Sequence, residues 1–395
     1  MSNKKRILNV IIVVFVAIFV LISGGCFNND NKSPIDGNTE IHTGDSSTND
    51  NDNKNDNQNQ NSNTDDTEQN QGENNQNNDN DQNTKTTVNI IGFGDSISAG
   101  YAVYGSDMYD SYIAFDNGDT LINDMCYTNI IASKMAQTYQ TVNVKSYAKS
   151  GDKTSDLVAK LQDETTYPYL KSDIENADVI TLCIGANNVL TVALEKMEDY
   201  FSGKISSEEL EVILQQGVDN FKSDYSNIII PFLTQGSAKV YVMTVYDPFY
   251  YFDVNDITFT SSNQYLAMFA KPVFLNMFNG LKQIAMSYMD QINTYIKAQE
   301  IENIIVVDVD SKFKTLTKQE YSLYINADST KIEINMDDII DVDKFSTDFT
   351  IEIKDATSLQ SNPYFDPHPT SLGQKYIANI FLKAMGLDEI SLEND

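Results

Sequence analysis

His368 is one of only two histidines in this 395-residue chain. It stands in Asp366-Pro367-His368-Pro369-Thr370 near the C-terminus, whereas His42 lies in a tract rich in Asn, Asp and Thr. Far upstream, the apolar run Val88-Asn89-Ile90-Ile91 leads into Gly94-Asp95-Ser96-Ile97-Ser98. Serine is a weak nucleophile until a base takes its proton, and histidine has the side-chain pKa suited to that near neutrality. A serine presented by a small-residue turn after a strand, with one distant histidine to serve it, is the composition of a serine hydrolase site. The tripeptide alone decides nothing. Gly44-Asp45-Ser46 repeats it, and any strand-to-helix turn can be built from the same residues.

Two further stretches carry suitable chemistry. Ser150-Gly151-Asp152-Lys153-Thr154 follows a second apolar run, and a glycine there lets a backbone N–H approach a ligand closely. Gly185-Ala186-Asn187-Asn188 follows a third, and a side-chain amide at a strand end can donate to a developing oxyanion. Either stretch, taken singly, also makes an ordinary turn or helix cap.

Positioning these residues requires strands that end together. Val- and Ile-rich runs alternate with helical stretches, the pattern of a parallel sheet covered on both faces. Strands are expected at Val88–Phe93, Val142–Tyr147, Val179–Ile184, Val240–Val245 and Ile304–Val309. Helices are expected at Asn123–Thr138, Ser155–Gln162, Glu208–Leu233, Phe274–Ala298 and Ser371–Met385. In an open α/β sheet, ligands gather at the carboxyl ends of the strands, where Ser96 falls. Residues 248–272, with Phe249, Tyr250, Tyr251 and Phe252, and the acidic residues 315–360 have the character of insertions. The aromatic insertion either walls a pocket for an acyl group or sugar or packs onto the core.

Taken in order, Ser96, Gly151, Asn187 and His368 resemble the four blocks of the SGNH (GDSL) hydrolase family of esterases and lipases, across residues 87–395. The resemblance implies an α/β fold, a three-layer α/β/α sandwich with a central, mostly parallel five-stranded sheet. It implies Ser96 as nucleophile and His368 as general base, with no cofactor or metal. The oxyanion hole would comprise the backbone N–H groups of Ser96 and Gly151 and the Asn187 side chain. Two positions depart from the family pattern. Asn188 follows the oxyanion asparagine where aspartate is frequent. Phe365 stands three before the histidine, the usual place of the acid, while Asp366 stands two before. Asp366 either orients His368 or only organises the turn. The α/β-hydrolase elbow, Gly-x-Ser-x-Gly, is not matched, because Ser98 occupies its last position.

The remaining composition bounds partners and destination. Lys4, Lys5 and Arg6 precede an apolar run, Ile7 to Ile22, of about 16 residues, shorter than the roughly 20 of a comfortable membrane span. That proportion points to export. With Ser23-Gly24-Gly25-Cys26 it resembles a bacterial lipoprotein signal, which implies lipidation of Cys26, although Ser23 replaces the usual leucine; an uncleaved anchor or plain secretion are the alternatives. Residues 27–86 are nearly all polar and are expected to be a disordered tether. A net charge of −30 excludes nucleic acid as a partner and leaves the N-terminal anchor as the sole membrane contact. Cys126 and Cys183 make no disulfide framework, and with one structured histidine they cannot build a typical zinc site. Asp337, Asp338, Asp341 and Asp343 lack the glycine and terminal glutamate of a calcium loop.

The expected protein is therefore an exported, tethered ester hydrolase acting through an acyl-enzyme. Short-chain acyl esters and O-acetylated glycans rank ahead of lysophospholipids, since an acidic surface repels anionic lipid assemblies. The same residues would serve an acyltransferase. A noncatalytic binding protein on the same fold is the rival from another class.

Overall fold

The computed structural model describes residues 86–104, 112–116, 125–201, 204–339 and 366–392. The signal segment with Cys26, residues 27–85 of the tether, Phe365, Asp341 and Asp343 lie outside them.

The described strands are β1 (Thr87–Gly94), β2 (Tyr112–Asp116), β3 (Thr141–Ser146), β4 (Val179–Cys183), β5 (Lys239–Met243), β6 (Thr258–Thr260), β7 (Ile304–Val307) and β8 (Glu333–Asn335). The main sheet runs β2-β3-β1-β4-β5-β7. Its five parallel strands are the five expected from sequence, and β2 adds an antiparallel edge against β3. Among the described residues the sheet thus has six strands rather than five. β2 escapes sequence reading because it carries no Val- and Ile-rich run of the kind that marks β7, the opposite edge. Here it is the short Tyr-Ile-Ala-Phe-Asp.

Successive residues of a strand face opposite sides, so each parallel strand feeds two cores. Val88 and Ile90 of β1 join a cluster with Tyr127, Ile130 and Phe381. Ile91 and Phe93 join another with Leu157, Leu214 and Phe221. Helices Tyr127–Met135 and Ser371–Met385 therefore cover one face. Helices Thr154–Gln162 and Ser207–Asp224 and the C-terminal part of Gln264–Lys297 cover the other. The α/β architecture with a mainly parallel sheet between helical layers is the one anticipated.

Helix ends follow their caps. Thr370 accepts from the Gly373 N–H and Gly386 closes the last helix at φ 75°, so Ser371–Met385 falls where expected. The expected Glu208–Leu233 helix contains a π-helical turn, Tyr225–Ile229. The expected Phe274–Ala298 helix begins earlier, at Gln264, capped by Asn263, and runs through Pro272. Ala186–Phe201 is a helix that the turn-like Gly-Ala-Asn-Asn concealed. The two insertions belong together. β6 pairs in parallel with β8, and Asp337 accepts from Ser261 Oγ and the Ser262 N–H.

From β1 the chain passes to β3 on one side, then returns to β4 on the other. Connections diverging about one strand leave a crevice at its carboxyl end. Ser96 follows β1 at that point.

Candidate active site

The serine turn is dictated by Gly94. Its φ is +144°, and a Cβ there would lie 2.1 Å from the Cys183 carbonyl oxygen, so no other residue fits. Asp95 then caps the short helix Ser96–Ala99, its Oδ1 accepting from the Ile97 N–H at 3.1 Å. Asp95 is buried, and its Oδ2 has no hydrogen-bond partner. Burial pushes this carboxyl up to about 7, against the opposing pull of the Ile97 N–H and His368. From behind, buried Gln374 pins the helix by donating to the Ile97 carbonyl at 3.1 Å while accepting from the Tyr127 N–H at 2.9 Å. Nothing in the sequence marks Gln374 apart from its polarity on a helix face that otherwise buries Ile377, Ala378 and Phe381.

His368 is buried, with Nδ1 2.5 Å from Asp366 Oδ1. The same oxygen accepts from the His368 backbone N–H at 3.0 Å. Two-residue spacing thus suffices for Asp366 to reach the ring, and Phe365 is not needed for it. Burial alone would raise the Asp366 carboxyl, but the His368 ring and N–H together with Asn326 hold it below its ordinary value. An ionised carboxylate can only accept, so Nδ1 carries the proton and Nε2 is the acceptor of the neutral ring.

The His368 turn is clamped by the second insertion. Asn326 Nδ2 donates to Asp366 Oδ2 at 3.1 Å, and its backbone N–H donates to the His368 carbonyl at 3.1 Å. Ile325 bridges Pro369, and Thr370 N–H donates to the Tyr324 carbonyl at 2.9 Å. Asn326 has no signature in sequence, because only the tertiary fold brings it to Asp366.

Gly151 has φ +82°, and no atom lies within 4 Å of where its Cβ would stand, so its backbone borders open space. Asn187 Nδ2 donates to the Asp152 carbonyl at 3.1 Å, and its Oδ1 accepts from Thr191 Oγ1 at 2.9 Å. These bonds fix the amide orientation and leave one N–H of the amide for a ligand. Asn188 does different work. Buried, it accepts from the Thr154 N–H at 3.0 Å and donates to Thr154 Oγ1 at 2.8 Å, satisfying the start of helix Thr154–Gln162.

Ser96, Gly151, Asn187 and His368 line a single cleft. A family model for GDSL-like lipases and acylhydrolases matches residues 90–381. The chain belongs to this family. A search of curated proteins finds no match. Similar solved structures include a lipase from a goat rumen metagenome, at 16% identity over 78% of this chain and 100% of that one, TM-score 0.43. A GDSL-like lipase from Parabacteroides merdae matches at 15% identity over 77% of this chain and 98% of its own, TM-score 0.34. A catalytic mutant of the acetylxylan esterase Axe2 from Geobacillus stearothermophilus matches at 12% identity over 77% and 96%, TM-score 0.35.

The cleft of this GDSL-family chain has two characters. Its polar end carries the serine, histidine and oxyanion candidates. Its walls include Leu190, Val245, Phe249, Met286 and Met289, an apolar surface fit for an acyl group. Both readings of the aromatic insertion hold in part. Phe249 walls the cleft, while Phe252 is buried in the core and Tyr251 stacks edge-on against Tyr321. As a family of lipases and acylhydrolases, its chemistry is ester hydrolysis.

Proposed function

We propose that the protein is an exported serine carboxylic-ester hydrolase, acting through an acyl-enzyme on short-chain acyl esters or O-acetylated glycans. The observation that carries this reading is the Asp366–His368 hydrogen bond of 2.5 Å in the cleft that Ser96 also lines. His368 Nε2 takes the Ser96 proton as Oγ attacks the ester carbonyl carbon. The negative charge then on the carbonyl oxygen is met by the N–H groups of Ser96 and Gly151 and by the Asn187 amide. As the intermediate collapses, the His368 imidazolium returns its proton to the departing alcohol. Water, deprotonated by His368, attacks the acyl-Ser96 ester and releases the acid. Asp366 stabilises the imidazolium in both halves. Export is supported by the basic, apolar, Cys26-ending N-terminal segment.

The apolar wall favours one extension, toward the longer acyl chains of lysophospholipid or lipase substrates, each buried methylene contributing about 0.8 kcal/mol. The deciding experiment uses p-nitrophenyl acetate, butyrate and octanoate with acetylated glycans, with and without a fluorophosphonate. Turnover abolished by the inhibitor and by Ser96→Ala is expected, with label on Ser96 alone. Full turnover by Ser96→Ala, or label on Ser46, would end the serine-hydrolase reading. Acyl transfer is distinguished by adding a sugar acceptor and measuring the acylated sugar against the free acid.

A further inference from the structure

Lys160 and Asp152 form an ion pair that the reaction steps above leave unused. The Lys160 ammonium donates to Asp152 Oδ2 at 2.8 Å and to the Tyr147 carbonyl at 2.6 Å. The two side chains are only 5% and 9% exposed. Burying both ions costs several kcal/mol each, and well-packed apolar replacements are often as stable or more so. Stability is therefore a weak reason for this pair. Its surroundings supply a better one. Asp152 directly follows Gly151, and its N–H donates to the Lys149 carbonyl at 3.2 Å, closing the turn in which Gly151 takes its positive φ. The Asp152 carbonyl accepts from Asn187 at 3.1 Å. Through this one residue, the end of β3, the helix bearing Lys160 and the helix bearing Asn187 are tied together.

We propose that the buried Lys160–Asp152 pair sets the spacing between the oxyanion donors Gly151 and Asn187, making Lys160 a positioning residue for acyl transfer at Ser96. This role presupposes Ser96 as nucleophile and the Gly151 and Asn187 donors assigned above. Lys160 touches no substrate; it fixes the loop that does. A displacement of about 1 Å at such a site costs as much as 10²-fold in rate.

Lys160→Met alone leaves a buried, unpaired carboxylate and is expected to destabilise the fold. The paired variant Lys160→Met/Asp152→Asn removes both charges at similar volume and keeps the backbone carbonyl that Asn187 uses. It should stay folded in thermal denaturation while kcat on a p-nitrophenyl ester falls by about 10–100-fold and KM changes less than about twofold. Fluorophosphonate labelling of Ser96 should slow in proportion, because the phosphonyl oxygen occupies the same donors. Adding Asn187→Ala to the paired variant should cost much less than Asn187→Ala costs the parent, since a misplaced donor has little left to lose. Unchanged kcat in the folded paired variant, or full additivity with Asn187→Ala, would overturn the proposal. Should the paired variant not fold, Lys160→Gln/Asp152→Asn, which also removes both charges but keeps a donor for the Tyr147 carbonyl, is read by the same criteria. A Ser96→Ala variant that kept its turnover would instead sink the hydrolase assignment itself. An inactive Ser96→Ala beside a fully active paired variant would remove only the positioning role.

Discussion

Asn187 and Asn188 are adjacent in the chain but face different tasks, one bordering the cleft and the other satisfying a buried helix start. Asn187→Ala should lower kcat by about 10²–10³ with little change in KM, because its N–H is expected to bond the transition state more strongly than the substrate. Asn188→Ala should instead cost about 1–3 kcal/mol of stability by orphaning the Thr154 N–H, leaving kcat of the folded protein nearly intact. Steady-state kinetics and urea unfolding on both variants separate the outcomes. Asp95 makes a second, pH-dependent statement. Its carboxyl ionises near 3.8 when unperturbed and near 7 in the fold. The folded state therefore holds an extra proton between those values, and stability is lost as pH rises through that window. Asp95→Asn keeps an acceptor for the Ile97 N–H but cannot ionise. Its stability relative to the parent should grow from about pH 4 to about pH 7 and then level off, measured by denaturant unfolding across pH. A flat difference would show that Asp95 does not titrate in that range.

At the scale of elements, the five parallel strands were legible in runs that carry Val and Ile, continuous in β7 and alternating with polar residues in β3, whereas β2 is a short Tyr-Ile-Ala-Phe-Asp at the edge. The site was legible in Ser96, Gly151, Asn187 and His368 because each follows a strand or closes the domain. Asn326 and Gln374 were not, because each acts across the fold on a residue distant in sequence, and Lys160 was not, because nothing in its eight-residue separation from Asp152 marks the pair as buried. The clamp on His368 shows why this matters. The acidic insertion supplies the segment Tyr324–Asn326 that holds both Asp366 and the backbone of the histidine turn. Asp366→Asn should lower kcat by about 10³–10⁴ if Asp366 fixes the tautomer and supports the imidazolium. Asn326→Ala should cause a smaller loss in the same parameter with KM unchanged. A loss below tenfold for Asp366→Asn would reduce the site to a Ser96–His368 dyad.

For the whole molecule, the N-terminal segment poses a question of place rather than chemistry. If Cys26 carries lipid, Cys26→Ser should shift the protein from membranes to the medium or leave an unprocessed precursor, followed by fractionation and mass measurement. Unchanged membrane retention would favour an uncleaved anchor. The catalytic parts, meanwhile, are distributed very unevenly along the chain. The serine turn forms near the start of the folded domain, yet Gln374, which pins it, and His368, which would activate it, lie near the C-terminus. A polypeptide lacking residues 366–385 would therefore present Ser96 without the brace and the base proposed for it. Hydrolysis would, in effect, report that the distant helix bearing Gln374 has docked.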